Sequence, residues 1–450
     1  MAKWQHVVGA TPSGLYRVFL GPFDCVIPKT PQAIVEIMSQ YAFEKPALNR
    51  EGLVRSLGVG LVVAEGDVHR FQRRIFNPIF GLNRNRRLVP QVWPIALILR
   101  EKIEDLVKKS RGSVVLDVHS LTMATTLDIV GITTLGVNFD SIRNPSDSIL
   151  QAYEMVYPSP DNPSLIDQVV GIIFATLVPP RLLFKLPLRS IRQYHKGMRM
   201  LRSFYLTQIR QKRKEIENTS FDDTEPREKD ILSALIASGL KDDKELLSHV
   251  LTTMAAGHDT TAVTLDWAIY RLSRHPEVQD RLRAEIQILR ADQSLDTIPS
   301  LDAINSMPYL RAFVMEVLRF YPAVPLIGRV AASSTTVGGV VIAKGQGVLV
   351  SPYAINRQKD LWGEDAHEFD VGRWEASPTG GAKSAQALYT FSGGPRICVG
   401  KDLALISIKV LLVVLVERFC FEEVVPGFHP PFQKDTTLKA QGLKVKVSVV

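Results

Sequence analysis

The chain has 450 residues, 46% hydrophobic and 22% charged, which excludes a disordered or low-complexity polypeptide and predicts a large buried core. Its 54 Lys and Arg against 46 Asp and Glu leave a net charge of +8. That favours anionic partners, but no basic zipper helix, Cys/His finger or aromatic RNA-binding strand accompanies it, so nucleic acid is set aside. Three scattered cysteines, Cys25, Cys398 and Cys420, exclude a disulfide framework or a structural zinc site and fit a reducing compartment.

Strand signals cluster near both ends, and helical signals dominate from about Arg84 to Tyr321. A single domain in three parts is predicted: a β-containing lobe within about 1–65, a helical body over about 66–322, and β-hairpins with a loop-rich segment within about 323–450. In "HRFQRR", residues 69–74, His69 and Arg73 lie four apart on one helical face. The apolar run Val169–Val178, followed by Pro179-Pro180 and flanked by Arg181 and Lys185, is too short to span a bilayer. It reads as a buried turn or a segment dipping into lipid. "ENTSFDDTEPRE", residues 217–228, reads as a solvent loop, and its Asn218-Thr219-Ser220 sequon carries no weight.

Asp242-Asp243 caps a long helix that runs to His275, where Pro276 opens the next. At 1.5 Å per residue it spans roughly 45–50 Å. In "EVLR", Glu316 and Arg319 stand one turn apart among apolar Val314, Val317, Leu318 and Phe320, so a buried ion pair with a third partner is expected. "TTVGGVVIAKGQGVLV", residues 335–350, carries a hairpin signal, residues 375–387 form a meandering loop, and Val410–Val416 reads as a core helix.

The segment "FSGGPRICVG", residues 391–400, places Cys398 among glycines, a proline and Arg396. A structural cysteine sits among apolar neighbours. A metal-ligating thiolate instead needs its charge held by backbone N–H groups, which glycine turns can aim at sulfur.

The spacing Phe391, Gly394, Arg396, Cys398, Gly400 resembles the haem-binding signature of the cytochrome P450 family. The resemblance implies a mainly α cytochrome P450-type fold, a large helical body with a long central helix and small β-sheets. It also implies haem b with Cys398 as axial iron ligand, whose thiolate favours O–O cleavage. "AAGHDTTA", residues 255–262, resembles the family's oxygen-activating segment, with Ala256 and Gly257 over the cofactor, Gly257 weakening the helix locally, Asp259 as proton source and Thr260 bonding back to a carbonyl and bending the helix. Glu316 and Arg319 match the family's buried pair. Their expected partner is Arg373 in "FDVGRW", where Val371 and Gly372 replace the usual Pro and Glu. His69 and Arg73 match a propionate-binding W-x-x-x-R with histidine for tryptophan, and Arg329 and Arg396 complete the clamp. Ser407 stands where a glutamate is common.

By family position, Met254, Ala255, Val324, Leu326, Ile327 and the turn containing Thr437 and Leu438 approach the substrate. The function implied is a monooxygenase inserting one atom of O₂ into a largely apolar substrate, terpenoid, polyketide or fatty, in fungal-type secondary metabolism. No flavin or nicotinamide module is visible, so electrons come from NADPH through a separate cytochrome P450 reductase, with cytochrome b5 as a further candidate donor. Arg70, Arg73, Arg74, Arg84, Arg86, Arg87 and Lys401 form the expected docking face. The alternatives are a reductase-independent isomerase or dehydratase acting on a peroxide, and a non-catalytic haem sensor. A monomer with peripheral membrane contact is expected. The resemblance begins at the first family helix, "MAKWQ", with no anchor before it, which places the enzyme on the cytosolic face of the endoplasmic reticulum if an anchor was removed and in the cytoplasm otherwise.

Overall fold

Two apolar-rich segments, LYRVFL and FDCVIP, open the first sheet. The structure is a computed structural model that describes residues 14–20, 23–146, 148–157, 185, 188–218, 229–291, 297–384, 386–432 and 436–450. The run 169–178 and most of the loop 217–228 with its sequon lie outside them. Strands β1 (Leu15–Leu20) and β2 (Phe23–Pro28) pair antiparallel in register Leu15 to Pro28. Helix α1 (Pro31–Ser39) follows, capped by Thr30, with Ile34, Ile37 and Met38 on its buried face. Strand β3 (Phe43–Glu44) and helices α2 (Ala47–Leu57), α3 (Gly66–Ile79) and α4 (Leu82–Lys109) lead into the helical body. Strand β4 (Ser113–Asp117) and α5 (Val118–Leu135) come next, then α6 (Ser148–Val156), α7 (Arg189–Asn218) and α8 (Ile231–Ala237).

The predicted long helix is α9, Asp243–Arg274, capped by Asp242, whose carboxylate accepts from Lys244 N at 2.9 Å. It ends at His275, and Pro276 opens α10 (Pro276–Arg290). Its 32 residues span about 48 Å and pack along α5. One expectation is corrected here. The helix is unbroken through residues 255–262, and Gly257 does not loosen it. A Cβ there would lie 3.1 Å from Val130 Cγ2, so the glycine serves close approach of α5.

Helix α11 (Pro308–Phe320) and strands β5 (Ile327–Ala331), β6 (Thr335–Val337), β7 (Val340–Ile342) and β8 (Gly347–Val350) follow. Only β6 and β7 form the expected hairpin, turning at Gly338 and Gly339, both with positive φ. Strand β8 instead joins a five-stranded sheet of order β1-β2-β8-β5-β3, parallel to β2. Helix α12 (Lys401–Arg418) is the core helix read from Val410–Val416; apolar all round, it is buried over almost its whole length. The last strands, β9 (Phe419–Glu423) and β10 (Lys444–Val449), form a sheet with β4 in the order β4-β10-β9. Among the described residues no helix is long and apolar enough to cross a membrane.

His249, on α9, is fully buried against the edge of the Phe76 ring, and neither ring nitrogen has a hydrogen-bond partner among the described residues. Burial pushes its pKa down to about 4. The unfolded chain binds this proton near pH 6.5, so stability is lost as pH falls from about 6.5 toward 4. His249→Leu is expected to remove this loss, regaining about 2 kcal/mol relative to wild type at pH 5. Thermal unfolding of both proteins between pH 4.5 and 7.5 measures it, and parallel curves would refute it.

Candidate active site and cofactor cradle

The cysteine loop takes its shape from one glycine. Gly394 has φ +63°, and a Cβ there would stand 2.3 Å from the Met38 carbonyl oxygen, so no other residue fits. Gly400 has no such need: its φ is −86° and the nearest atom to an added Cβ is 3.9 Å away. Its backbone N–H lies close enough to favour charge on the Cys398 sulfur. Cys398 N donates to Phe391 O at 2.9 Å, closing the loop, and Arg73 Nη1 donates to Ile397 O at 2.6 Å. Burial pushes the Cys398 thiol up, while the Gly400 N–H, Arg73 and Lys401 favour the thiolate. The residue nonetheless keeps free surface. Exposure combined with a strong burial effect marks the wall of an interior space.

Helix α9 shows a second such wall. Ala256 is exposed at the middle of a helix whose neighbours from Leu246 to Ser273 are mostly buried. Thr260, one turn on, is half-buried, and its Oγ1 donates to Ala256 O at 2.7 Å. Asp259 turns toward the C-terminal turn. It accepts from Thr437 Oγ1 at 2.8 Å and pairs with Lys439 Nζ at 3.0 Å. Burial raises its pKa, but the Lys439 ammonium and the Thr437 hydroxyl outweigh that and hold it below the usual carboxylate range. The turn itself is fastened by Trp267 Nε1 donating to Leu438 O at 2.6 Å and by Leu438 N donating to Ala323 O at 2.9 Å.

Glu316 and Arg319 are both fully buried and doubly hydrogen-bonded, at 2.7 and 2.8 Å. Arg319 also donates to the carbonyls of Asn356, Ala366 and Glu368. Arg373 reaches Glu316 only at 3.8 Å. The hydrogen bonds expected of it come instead from Trp374 Nε1 at 2.9 Å and Asp370 N at 2.8 Å. Arg373 binds Asp365, Trp362 O and Gly380 O. The Val371-Gly372 departure is absorbed by the Asp370 carboxylate, which accepts from Gly372 N at 2.8 Å and supports the short helix Gly372–Ala376. Ser407 is buried.

The expected clamp residues converge on a buried charged cluster. His69 is 2% exposed, hydrogen-bonded through Nδ1 to Tyr41 at 3.2 Å. Burial, then Arg396, Lys45 and Arg73, lower its pKa to about 4, so it is neutral. Burial and the neighbouring Arg396 likewise lower Arg329 to about 10 and Lys45 to about 8. Each of these three groups feels the Glu65 carboxylate, but the cations Lys45, Arg73, Arg329 and Arg396 outnumber it. Buried cations in excess are costly without an anion. The two carboxylates of haem b would supply that charge, and the donor set fits them. Lys45, Tyr41, Glu65 and Lys439 were not found from the sequence, because their partners lie 20 to 331 residues away and no spacing signals them.

Of the residues expected to meet substrate, Ala255, Val324, Leu326 and Ile327 keep free surface, whereas Met254 and Leu438 are buried in the core and Thr437 is engaged with Asp259. Arg70, Arg74, Arg86, Arg87 and Lys401 are exposed, Arg73 and Arg84 half-buried. Arg70, Arg73 and Arg74 line an open depression of about 570 Å³ together with Tyr41, Asn77 and the loop residues Gly394, Pro395 and Ile397. Among the described residues no group of His, Cys, Asp and Glu could hold a bare metal ion.

The family model for cytochrome P450 matches residues 5–447. The chain belongs to the cytochrome P450 family. It is 33% identical over 434 residues to cytochrome P450 monooxygenase sphH of Aspergillus fumigatus, covering 94% of this chain and 78% of that one. It is 30% identical over 481 aligned positions to cytochrome P450 monooxygenase ALT8 of Alternaria alternata, covering 93% and 79%. Against cytochrome P450 monooxygenase FUM15 of Gibberella moniliformis the identity is 29% over 472, covering 94% and 78%. The chain is thus a cytochrome P450 monooxygenase, and the family implies a haem-thiolate centre.

Proposed function

We propose that this cytochrome P450 holds haem b through Cys398 and inserts one oxygen atom from O₂ into an apolar substrate of terpenoid, polyketide or fatty type, in fungal secondary metabolism. The whole chain acts as one catalytic domain. The observation that carries this reading is the pair of exposed walls, the Cys398 loop and the Ala256–Thr260 stretch of α9, together with the cluster in which the cations Lys45, Arg73, Arg329 and Arg396 outnumber the Glu65 carboxylate. When bound, haem supplies oxygen activation and transfer. The protein's own groups do the rest. Lys45, Arg329 and Arg396 hold carboxylates, the Gly400 N–H holds thiolate charge, and Ala255, Val324, Leu326 and Ile327 offer apolar surface to substrate. Thr260 orders a water, and Asp259, kept ionised by Lys439 and Thr437, passes protons from that side of the helix. Electrons from NADPH arrive through a separate reductase, docked on the basic depression around Arg70, Arg73 and Arg74, at the cytosolic face of the endoplasmic reticulum.

Turnover with reductase and NADPH, compared with turnover on an added hydroperoxide, tests the reaction class. Thr260→Ala is expected to lower the fraction of NADPH electrons recovered in product by roughly tenfold or more, with excess hydrogen peroxide released and hydroperoxide-driven turnover retained. Unchanged coupling in this variant would remove Thr260 from the relay, and turnover on hydroperoxide alone would favour the isomerase class.

A further inference from the structure

The cradle contains an anion that no propionate-binding role requires. Glu65 is the N-cap of α3, a position from which a carboxylate can accept from the first turn's N–H groups, yet it makes no such bond. It turns inward instead. Oε1 accepts from Lys45 N at 3.0 Å and Lys45 Nζ at 3.2 Å, and Oε2 pairs with Arg396 Nη2. Both Glu65 and Arg396 side chains are 7% exposed, and Lys45 16%. The other terminal nitrogen of Arg396 donates to Ala64 O at 3.2 Å. The guanidinium expected to hold a haem carboxylate is therefore already bonded on both arms. Arg329, 8% exposed, donates from Nη1 to Gly328 O at 2.8 Å; it stands beside Arg396 as a like charge.

We propose that Glu65 competes with a haem carboxylate for Lys45 and Arg396, lowering the protein's affinity for its cofactor while stabilising the cradle before the cofactor arrives. The inference rests on the haem-thiolate reading above. Two physical facts drive it. A carboxylate removed from hydrogen-bond donors of charge type gives up one of the stronger polar contacts a protein makes. And a cluster of buried cations that lacks its counter-charge is unfavourable to assemble. Glu65 satisfies the second condition at the expense of the first: it makes folding of the cofactor-free chain easier and leaves the incoming carboxylate to share, not claim, the donors. Lys45 has the opposite sign of effect, since it serves both carboxylates.

Haem transfer from the ferric holoenzyme to excess apomyoglobin, with the ferrous carbonyl spectrum recorded alongside, tests this without any turnover. Glu65→Gln is expected to slow haem loss roughly tenfold, the fold-change of one hydrogen bond to a charged group, and Lys45→Met to hasten it by a similar factor. Both variants are expected to keep the red-shifted carbonyl band. Should Glu65→Gln not accumulate, Glu65→Asp, one methylene shorter, carries the same test with a slowing of about threefold. Haem loss as fast as or faster than wild type in these Glu65 variants, with the carbonyl band intact, overturns the role given to Glu65 alone. Absence of the red-shifted band in the wild type overturns both this inference and the reading it rests on.

Discussion

Cys398→Ala is expected to abolish the red-shifted Soret band of the ferrous carbonyl complex and to cut reductase-driven product formation on the order of a thousandfold or more, a barrier increase of about 4 kcal/mol. Neither of the other two cysteines is placed to substitute. Cys25 is buried in the sheet beside Gly347 and Cys420 lies on β9, and no histidine was found in the loop 391–400. The loop should survive the change, since its shape depends on the Gly394 turn against Met38 O and on the Cys398 N to Phe391 O bond, neither of which uses sulfur. Any haem retained on the cradle cations would then show a carbonyl band without the thiolate shift. A variant whose spectrum matches wild type would show that sulfur is not the ligand.

Arg319→Met is expected to cost about 3–5 kcal/mol, because it takes from the fully buried Glu316 carboxylate its doubly hydrogen-bonded cation and frees three backbone carbonyls. Against a whole-protein stability of about 5–15 kcal/mol that is severe. Denaturant unfolding and haem-containing yield measure it. The double variant Glu316→Gln with Arg319→Met, which removes both charges of the pair, should recover part of the loss. A single variant within 1 kcal/mol of wild type would mean that the pair adds little, as exposed pairs do.

The parts legible in the sequence were those written in local spacing. Asp242 and Pro276 bracket α9, and the glycines around Cys398 announce a loop whose backbone must turn. Glu316 and Arg319, three apart among apolar neighbours, announce a buried pair. What stayed hidden was long-range. Trp374 and Asp370 N were not distinguished from Arg373 as partners of Glu316, because one rotation of a short helix decides between them. Gly257 looked like a helix weakness, although its neighbour Val130 lies 127 positions earlier. The hairpin of 335–350 was correct for its first six strand residues, but β8 belongs to a sheet whose other strands begin at residue 15. Lys439 and Lys45 give no sign at all, since a lone lysine reads as solvated until an acid is found opposite it.

The order β4-β10-β9 has a consequence for biosynthesis. The final strand of the chain is the middle one of its sheet, and the turn before it carries the hydroxyl and ammonium that neutralise Asp259. Until residues 437–449 have emerged from the ribosome, β4 and β9 lack the strand between them and Asp259 lacks Thr437 and Lys439, so α9 reaches its finished electrostatic environment only once this segment has folded back. Truncation before residue 437 would therefore remove at once the strand that joins β4 to β9 and both partners of Asp259.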